Sequence, residues 1–266
     1  MCFKLNEYLN MESIDKKIGD FGKDGPFDHI VIDNFFTEDH AKKISEAFPS
    51  FESEIWHNYD NAIEIKKTCN TWNAFTPVIY NTFAFLNSQV FTKYLSKKIF
   101  AEKDLMSDPG LNGGGLHIHT KGGKLNTHLD YSLHPKLRMQ RKFNLIIYMN
   151  PNWIKGWGGT LGFWNNESPV QPGSLEKSIE CYFNRAVIFD TSQNSWHGLP
   201  EPVQCPENEA RKSLAVYYLS DAPNDINKRG KALYAPTAEQ ADDQKVLELI
   251  KKRSQISTAH KVYDAD

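Results

Sequence analysis

Hydrophobic and polar positions divide the chain into a mixed lead-in, a long β-patterned middle and a short helical tail. From Phe27 the run Phe27-Asp28-His29-Ile30-Val31-Ile32-Asp33-Asn34-Phe35-Phe36 reads as a strand. Thr37 then offers a helix cap, with Glu38 and Asp39 in the first turn, where the positive end of the helix dipole favours acids. Ala41, Ile44 and Phe48 give that helix one apolar face before Pro49 ends it. A second helix is predicted from Thr76-Pro77, a cap followed by Pro at the first helical position, with Ile79, Phe83 and Leu86 on one face. Phe91, Leu95 and Ile99 repeat the spacing, and periodic burial accounts for these aromatics without a ligand.

After Gly113-Gly114-Gly115 short apolar runs alternate with Gly, Pro, Asn and Ser, which is the pattern of an all-β region. Strands are expected at Gly115 to His119, Asn126 to Asp130, Phe143 to Met149, Thr160 to Trp164, Ala186 to Asp190 and Ser213 to Leu219. Their number and spacing suggest a sandwich or jelly roll. In the tail, Thr237-Ala238-Glu239-Gln240 reads as a capping box leading into Val246, Leu247 and Ile250. The expected organisation is a polar leader (1–26) that packs loosely, a strand and helical lead-in (27–112), the β core (113–222) and a helical tail (223–266).

Composition narrows the classes. The 266 residues carry 31 Lys+Arg against 33 Asp+Glu, so the chain is no polycation built to coat nucleic acid. With 40% hydrophobic residues it has enough to bury a sizeable core. No apolar run approaches the roughly 20 residues that span a bilayer, so neither nucleic acid nor membrane is expected as a partner. The N-terminus lacks a basic region followed by an apolar one, and Cys2, Cys69, Cys181 and Cys205 are scattered without a C-x-x-C pair. A reducing cytoplasm is the expected location.

Several familiar signatures fail. Gly123-Lys124 is followed by Leu125, not Ser or Thr, so there is no phosphate loop; neither G-x-S-x-G nor H-E-x-x-H occurs. Asp190, Ser192, Ser195 and His197 crowd within one turn-rich stretch, whereas a hydrolytic triad assembles from distant segments around an oxyanion hole.

The positive signal starts at His128-Leu129-Asp130. On a strand, residues two apart face the same side, so this imidazole and carboxylate could share one metal ion. Chance alone gives about 0.6 such H-x-D pairs in a chain of this composition, so the pair needs a partner. His197 supplies a candidate, following the apolar run Ala186-Val187-Ile188-Phe189-Asp190. Two His and one carboxylate make a facial triad, which holds Fe(II) on one side and leaves positions open for reactants; a turn histidine bonded only to backbone is the alternative for His197. Further on comes Arg211-Lys212-Ser213, with Arg211 and Ser213 on one strand face. A guanidinium at the start of a core strand is costly to bury unless it meets an anion, and its fork suits a carboxylate; an exposed strand-edge charge is the other reading.

In order and spacing these motifs resemble the 2-oxoglutarate/Fe(II)-dependent oxygenase superfamily, in its prolyl-hydroxylase-like branch. The likeness covers roughly residues 105 to 220. It rests on Asp108-Pro109-Gly110-Leu111, Gly113-Gly114-Gly115-Leu116-His117, the run Gly122-Gly123-Lys124-Leu125-Asn126-Thr127-His128-Leu129-Asp130, and Arg141-Lys142-Phe143-Asn144-Leu145-Ile146-Ile147-Tyr148-Met149-Asn150. It continues through Trp157-Gly158-Gly159-Thr160-Leu161, Trp196-His197-Gly198 and Arg211-Lys212-Ser213.

The resemblance implies a mainly β fold with flanking helices (α+β), built on a double-stranded β-helix, the jelly-roll or cupin-like core. It implies that His128, Asp130 and His197 bind iron and that Arg211, assisted by Ser213, pairs with the distal carboxylate of 2-oxoglutarate. Tyr148 stands where the branch has a tyrosine bonded to the same carboxylate, and a half-buried core tyrosine is its plainer reading. His119 stands where relatives often carry a cosubstrate-contacting tyrosine, and departs from that pattern. The implied cofactors are Fe(II), 2-oxoglutarate and O2, with ascorbate as a helper.

The implied reaction is hydroxylation of an unactivated C–H bond coupled to decarboxylation of 2-oxoglutarate to succinate. Halogenation is disfavoured, because halogenating relatives lack the carboxylate that Asp130 supplies. A peptidyl proline, a free amino acid, or a sugar or other metabolite all fit as substrate. Arg138 and Arg141 follow the H-x-D strand, where either solvation or a substrate anion would explain them. A non-catalytic cupin-like metal-binding module is the alternative, in which Arg211 and Ser213 would be dispensable.

Overall fold

The computed structural model describes residues 3–101, 103–225 and 229–257; Cys2 and the end of the expected tail, 258–266, lie outside the described residues. The chain opens with short helices α1 (Leu5–Tyr8) and α2 (Met11–Lys17), then runs through strand β1 (His29–Ile32) into α3 (Glu38–Glu46). A hairpin, β2 (His57–Asp60) and β3 (Glu64–Cys69), precedes α4 (Pro77–Leu86) and α5 (Gln89–Ile99). The β region follows as β4 (Met106–Ser107), β5 (Gly115–His119), β6 (Lys124–Leu125), β7 (His128–Leu129), β8 (Gln140–Tyr148), β9 (Leu161–Ser168), β10 (Gln171–Ile179), β11 (Ala186–Asp190), β12 (His197–Gly198) and β13 (Arg211–Ser220). Strand β14 (Leu233–Tyr234) and helix α6 (Gln244–Ser254) close the described chain.

The strands form two antiparallel sheets. The larger runs β1-β11-β8-β13-β5-β3-β2, with β4 on β13 and β6 on β3; the smaller runs β10-β9-β12-β7-β14. This is the mixed α+β jelly roll that the sequence pattern anticipates.

Alternation along the larger sheet sorts its side chains into two layers. Leu116 and Ile118, Phe143, Leu145 and Ile147, and Leu214, Val216 and Tyr218 join one core with the buried faces of α3, α4 and α5. On the opposite face Tyr148, Val187 and Phe189 meet Leu161 and Phe163 of the smaller sheet in a second core. Because the strand period is two, Arg211, Ser213, Ala215 and Tyr217 must then point between the sheets, where they line a cavity. Packing of the aliphatic face against the helices thus fixes which polar residues enter the interior.

Local chemistry accounts for the helix starts, with exceptions. The Thr37 hydroxyl accepts from His40 N–H at 3.3 Å, as expected of a cap. Thr76 makes no side-chain cap bond, and Pro77 alone marks the start of α4. The Thr237 capping box sits on a separate 3-10 turn, Ala238–Gln240, while α6 is capped by Asp243, whose carboxylate accepts from Lys245 and Val246 N–H.

Other expectations are corrected. The leader does not lie loosely on the surface: Leu9, Ile14 and Ile18 are buried in the helical-side core, because α2 turns one apolar face inward. The strand expected over residues 126–130 shrinks to His128–Leu129. The one expected at 160–164 extends to Ser168 and turns into β10, a polar hairpin that hydrophobic alternation does not mark. No element was expected at β2 and β3. Cys69, Cys181 and Cys205 are buried free thiols. Among the described residues no helix is long and apolar enough to cross a membrane.

Candidate metal centre

Strands β7 and β12 are neighbours in the smaller sheet, and their register sets His197 directly opposite His128. The two rings lie 4.3 Å apart between centroids. Each imidazole is oriented by the backbone two residues before it: His128 Nδ1 meets Asn126 O at 2.9 Å and His197 Nδ1 meets Ser195 O at 2.8 Å. A carbonyl only accepts, so both Nδ1 atoms carry the proton and both Nε2 atoms present a lone pair. Asp130 completes the group. Its Oδ1 is 3.8 Å from His128 Nε2 and its Oδ2 is 3.8 Å from His197 Nε2.

These three side chains are buried, and their ligand atoms all lie within 4.8 Å of one another. Asp130 Oδ2 has no hydrogen-bond partner. Burial, and then the neighbouring His197, push the His128 pKa down to about 3; burial likewise lowers that of His197. Burial would raise Asp130, but His197 and Arg141 hold its pKa below the ordinary carboxylate value. Two neutral imidazoles and a carboxylate therefore turn lone pairs toward one point with no donor between them. A cation satisfies all three at once, and two N and one O donor on one face suit Fe(II).

The other anticipated residues converge on the same cavity, with a difference of role. Arg211 is 4% exposed, so the strand-edge reading fails. Its Nε donates to Gly159 O at 2.6 Å and its Nη2 to the Tyr148 hydroxyl at 3.3 Å. Gly159 adopts φ +65°, and a Cβ there would come 3.0 Å from Arg211 Cδ, so the glycine is what lets this carbonyl approach the guanidinium. Its guanidinium also hydrogen-bonds the Cys181 thiol, and no carboxylate among the described residues pairs with it. Ser213 is buried and sits opposite both Tyr148 and His117 in register. Tyr148 is fully buried, its pKa pushed up to about 12 by burial, and it reaches the cavity only through Arg211. His119 lies opposite Arg211, lines the cavity, and has both ring nitrogens buried without a partner.

Sequence reasoning left several residues of this cavity of about 300 Å³ unassigned. Glu64 and Lys66 enter from β3, where the alternation Ile63-Glu64-Ile65-Lys66 was a usable strand signal hidden by its low hydrophobicity. Tyr234 stacks on His128 with centroids 5.1 Å apart, so the tail roofs the metal centre.

Arg141 was expected at the surface or at an anion; it is 2% exposed and belongs to the centre. Strict alternation would turn it toward the helices with Phe143 and Leu145. A bulge where β8 meets β13, between the pairs Tyr218–Phe143 and Leu219–Arg141, reverses it into the cavity. There its guanidinium lies between the rings of Tyr131 (3.6 Å) and Tyr217 (3.2 Å), with Nη1 3.6 Å from Asp130 Oδ1. Arg138, by contrast, is exposed. The hydrolytic reading also fails on geometry: Asp190 holds Lys142 and Ser192, and His197 turns to a carbonyl.

With this geometry in hand, the comparison with known families is decisive for class. Residues 114–219, from β5 through β13, match the 2OG-Fe(II) oxygenase superfamily. Match, double antiparallel sheet and His128–Asp130–His197 group together place residues 114–219 in that superfamily, for which Fe(II) and 2-oxoglutarate are the typical cofactors.

Its relatives include prolyl hydroxylases. The prolyl 3-hydroxylase OGFOD1 of Mus musculus is 30% identical over 78 residues, a stretch that makes up 29% of this chain and 14% of that protein. This chain thus matches a small part of that relative's length. The prolyl-4-hydroxylase of Pseudomonas putida superposes with a TM-score of 0.55 at 14% identity, covering 79% of this chain and 98% of that one. The prolyl hydroxylase of Trichoplax adhaerens, solved with a hypoxia inducible factor oxygen degradation domain peptide fragment, gives 0.52 at 16% identity, over 72% of this chain and 83% of the other. At such identities these structures speak for the fold alone.

Proposed function

We propose that this dioxygenase hydroxylates an unactivated C–H bond of a small or peptidyl substrate, with His128, Asp130 and His197 as the iron ligands and Arg211 as the grip on 2-oxoglutarate. The observation that carries the reading is a buried guanidinium with no carboxylate of its own among the described residues, in the same cavity as the triad. A module that merely stored a metal would have no use for that cation. The overall balance is one C–H bond, O2 and 2-oxoglutarate converted to C–OH, succinate and CO2.

Bound Fe(II) supplies the redox chemistry. What the chain contributes is placement. The Nδ1–H bonds to Asn126 O and Ser195 O hold both imidazoles as Nε2 ligands. Arg141 faces the Asp130 carboxylate, which with His128 and His197 would hold the iron and would leave no place for a halide in its stead. Arg211, backed by Tyr148 and Gly159, would take the distal carboxylate of the cosubstrate; Ser213 and the unpartnered nitrogens of His119 line the path to it. The surrounding apolar residues, Ile146, Leu161 and Leu199 among them, exclude water from the reacting groups. Likeness to prolyl hydroxylases supports a prolyl residue as one substrate to try; amino acids and other metabolites remain equal in chemistry.

Titrating the protein with Fe(II) and 2-oxoglutarate under nitrogen tests this. A weak visible charge-transfer band is expected, followed by succinate on admission of air. No band and no succinate would leave only a metal-binding module.

A further inference from the structure

The strand that carries His128 and leads into Asp130 is only two residues long, too short to hold its own direction. On one side β12 pairs with it through His197 alone. On its other side the tail holds it. Strand β14 sets Leu233 opposite Leu129 and Tyr234 opposite His128. Ala235 N–H donates to Thr127 O at 2.8 Å, and Arg229 Nε donates to Asp130 O at 2.8 Å. Asn126 Nδ2 in turn donates to Ala235 O at 3.0 Å and to Gln240 Oε1 at 2.6 Å. Every residue from 126 to 130 is thus tied to the segment 229–240, which lies outside the stretch 114–219 shared with the superfamily.

Two of these ties reach the His128 ring. The Tyr234 ring is stacked on it at an interplanar angle of 24°, with the Tyr234 hydroxyl donating to Glu64 Oε2 at 3.3 Å. Asn126 supplies the carbonyl that accepts from His128 Nδ1, so whatever fixes Asn126 fixes the tautomer and plane of the imidazole. Gln240 does that fixing. Its Oε1 also accepts from Thr237 N–H at 3.0 Å, and its Nε2 donates to Ala62 O at 2.8 Å, so its amide is pinned from three sides. The capping-box residues therefore brace Asn126 rather than start a long helix, since the turn they cap is only Ala238–Gln240.

We propose that the segment 229–240 is a clamp that aims His128 at the metal, with two positioning residues: Gln240, acting through Asn126, and Tyr234, acting through its stacked ring. This rests on the proposed role of His128 as an iron ligand. A metal held by three protein groups loses affinity when one of them is misaimed. By linkage, a metal that favours the clamped geometry must also hold the tail in place.

The test uses the full chain titrated with Mn(II) under nitrogen, free Mn(II) being followed by its electron paramagnetic resonance signal, alongside melting temperatures of the metal-free protein. Gln240→Met and Tyr234→Leu should each bind Mn(II) about tenfold more weakly than the unaltered protein, the range that losing a ligand's support usually costs. Tyr234→Phe keeps the stacked ring and should bind as the unaltered protein does. Gln240 is half-buried on a turn, so its replacement leaves the cores intact. Hydrogen exchange of the unaltered protein needs no variant: Mn(II) should slow exchange across 229–240. Lower melting temperatures with unchanged Mn(II) affinity would make the segment a structural cover and overturn the clamp. Tyr234→Phe binding as weakly as Tyr234→Leu would overturn the stacking role, and exchange indifferent to Mn(II) would overturn the coupling. Failure of the unaltered protein to bind Mn(II) would instead sink the iron-centre reading itself.

Discussion

Replacing Arg211 by Met separates a cosubstrate grip from a structural role, because the two make opposite forecasts. Methionine keeps most of the side-chain volume and removes the charge. In the protein without cosubstrate, the guanidinium is buried, donates to Gly159 O and the Tyr148 hydroxyl, and faces no carboxylate among the described residues. Losing those bonds costs about 1 kcal/mol each, while removing an uncompensated buried charge returns a comparable amount. The melting temperature without ligand should therefore move by only a few degrees. With 2-oxoglutarate the balance differs. Removing one partner of a buried ion pair typically costs about 3–5 kcal/mol, and at about 1.4 kcal/mol per decade that is roughly two to three and a half decades of affinity. Anaerobic titration of the Fe(II)-loaded variant, followed through the charge-transfer band, measures this, and steady-state kinetics should show KM for 2-oxoglutarate rising far more than KM for the primary substrate. A large drop in melting temperature with unchanged cosubstrate affinity would make Arg211 a fold residue and remove the central argument for the function.

Asp130→Ala should abolish succinate formation through loss of metal, read as Mn(II) no longer retained on gel filtration; unchanged turnover would contradict the triad. Arg141→Met should destabilise the metal-free protein by about 3–5 kcal/mol, because it strands the Asp130 carboxylate in the interior, and by clearly less once a divalent ion is bound; equal losses in both states would deny the coupling. His40 predicts an acid-side loss of stability: burial, and secondarily Lys43, push its pKa from 6.5 down to about 4. The unfolded chain then takes up the proton first as pH falls, so its contribution is complete above about pH 6.5 and is lost between there and about pH 4, by up to about 3 kcal/mol. Denaturant midpoints measured across that range should flatten in His40→Gln, and an identical slope would refute the assignment.

Much of the centre is legible in the primary structure because its geometry is local. A residue two positions from another on a strand shares its face, which pairs His128 with Asp130 and Arg211 with Ser213 whatever the rest of the chain does. Order and spacing then single out His197. The helices are legible for a similar reason, since Thr37 and the Ala41 to Phe48 face act within a turn or two of each other. What escapes is either weakly patterned or long-range. Hairpins β2–β3 and β9–β10 carry too few apolar residues for alternation to stand out, although the first of them contributes Glu64 and Lys66 to the cavity. The leader looks polar in composition, yet Leu9, Ile14 and Ile18 suffice to seat it once a core exists to receive them.

Sequence alone therefore determined the His128–Asp130–His197 grouping, the jelly-roll class and the pairing of Arg211 with Ser213 on one strand face, because each depends on period and order. Tertiary structure decided which face of the larger sheet looks inward, through packing of its aliphatic rows on α3 to α5. It also decided that one bulge turns Arg141 from the helical layer onto Asp130, and that β3 and the tail close over the metal centre with their charges. Such outcomes depend on register and on contacts between segments as far apart as Glu64 and Arg253. No local periodicity encodes them, since a shift of one residue in pairing reverses every side chain that follows.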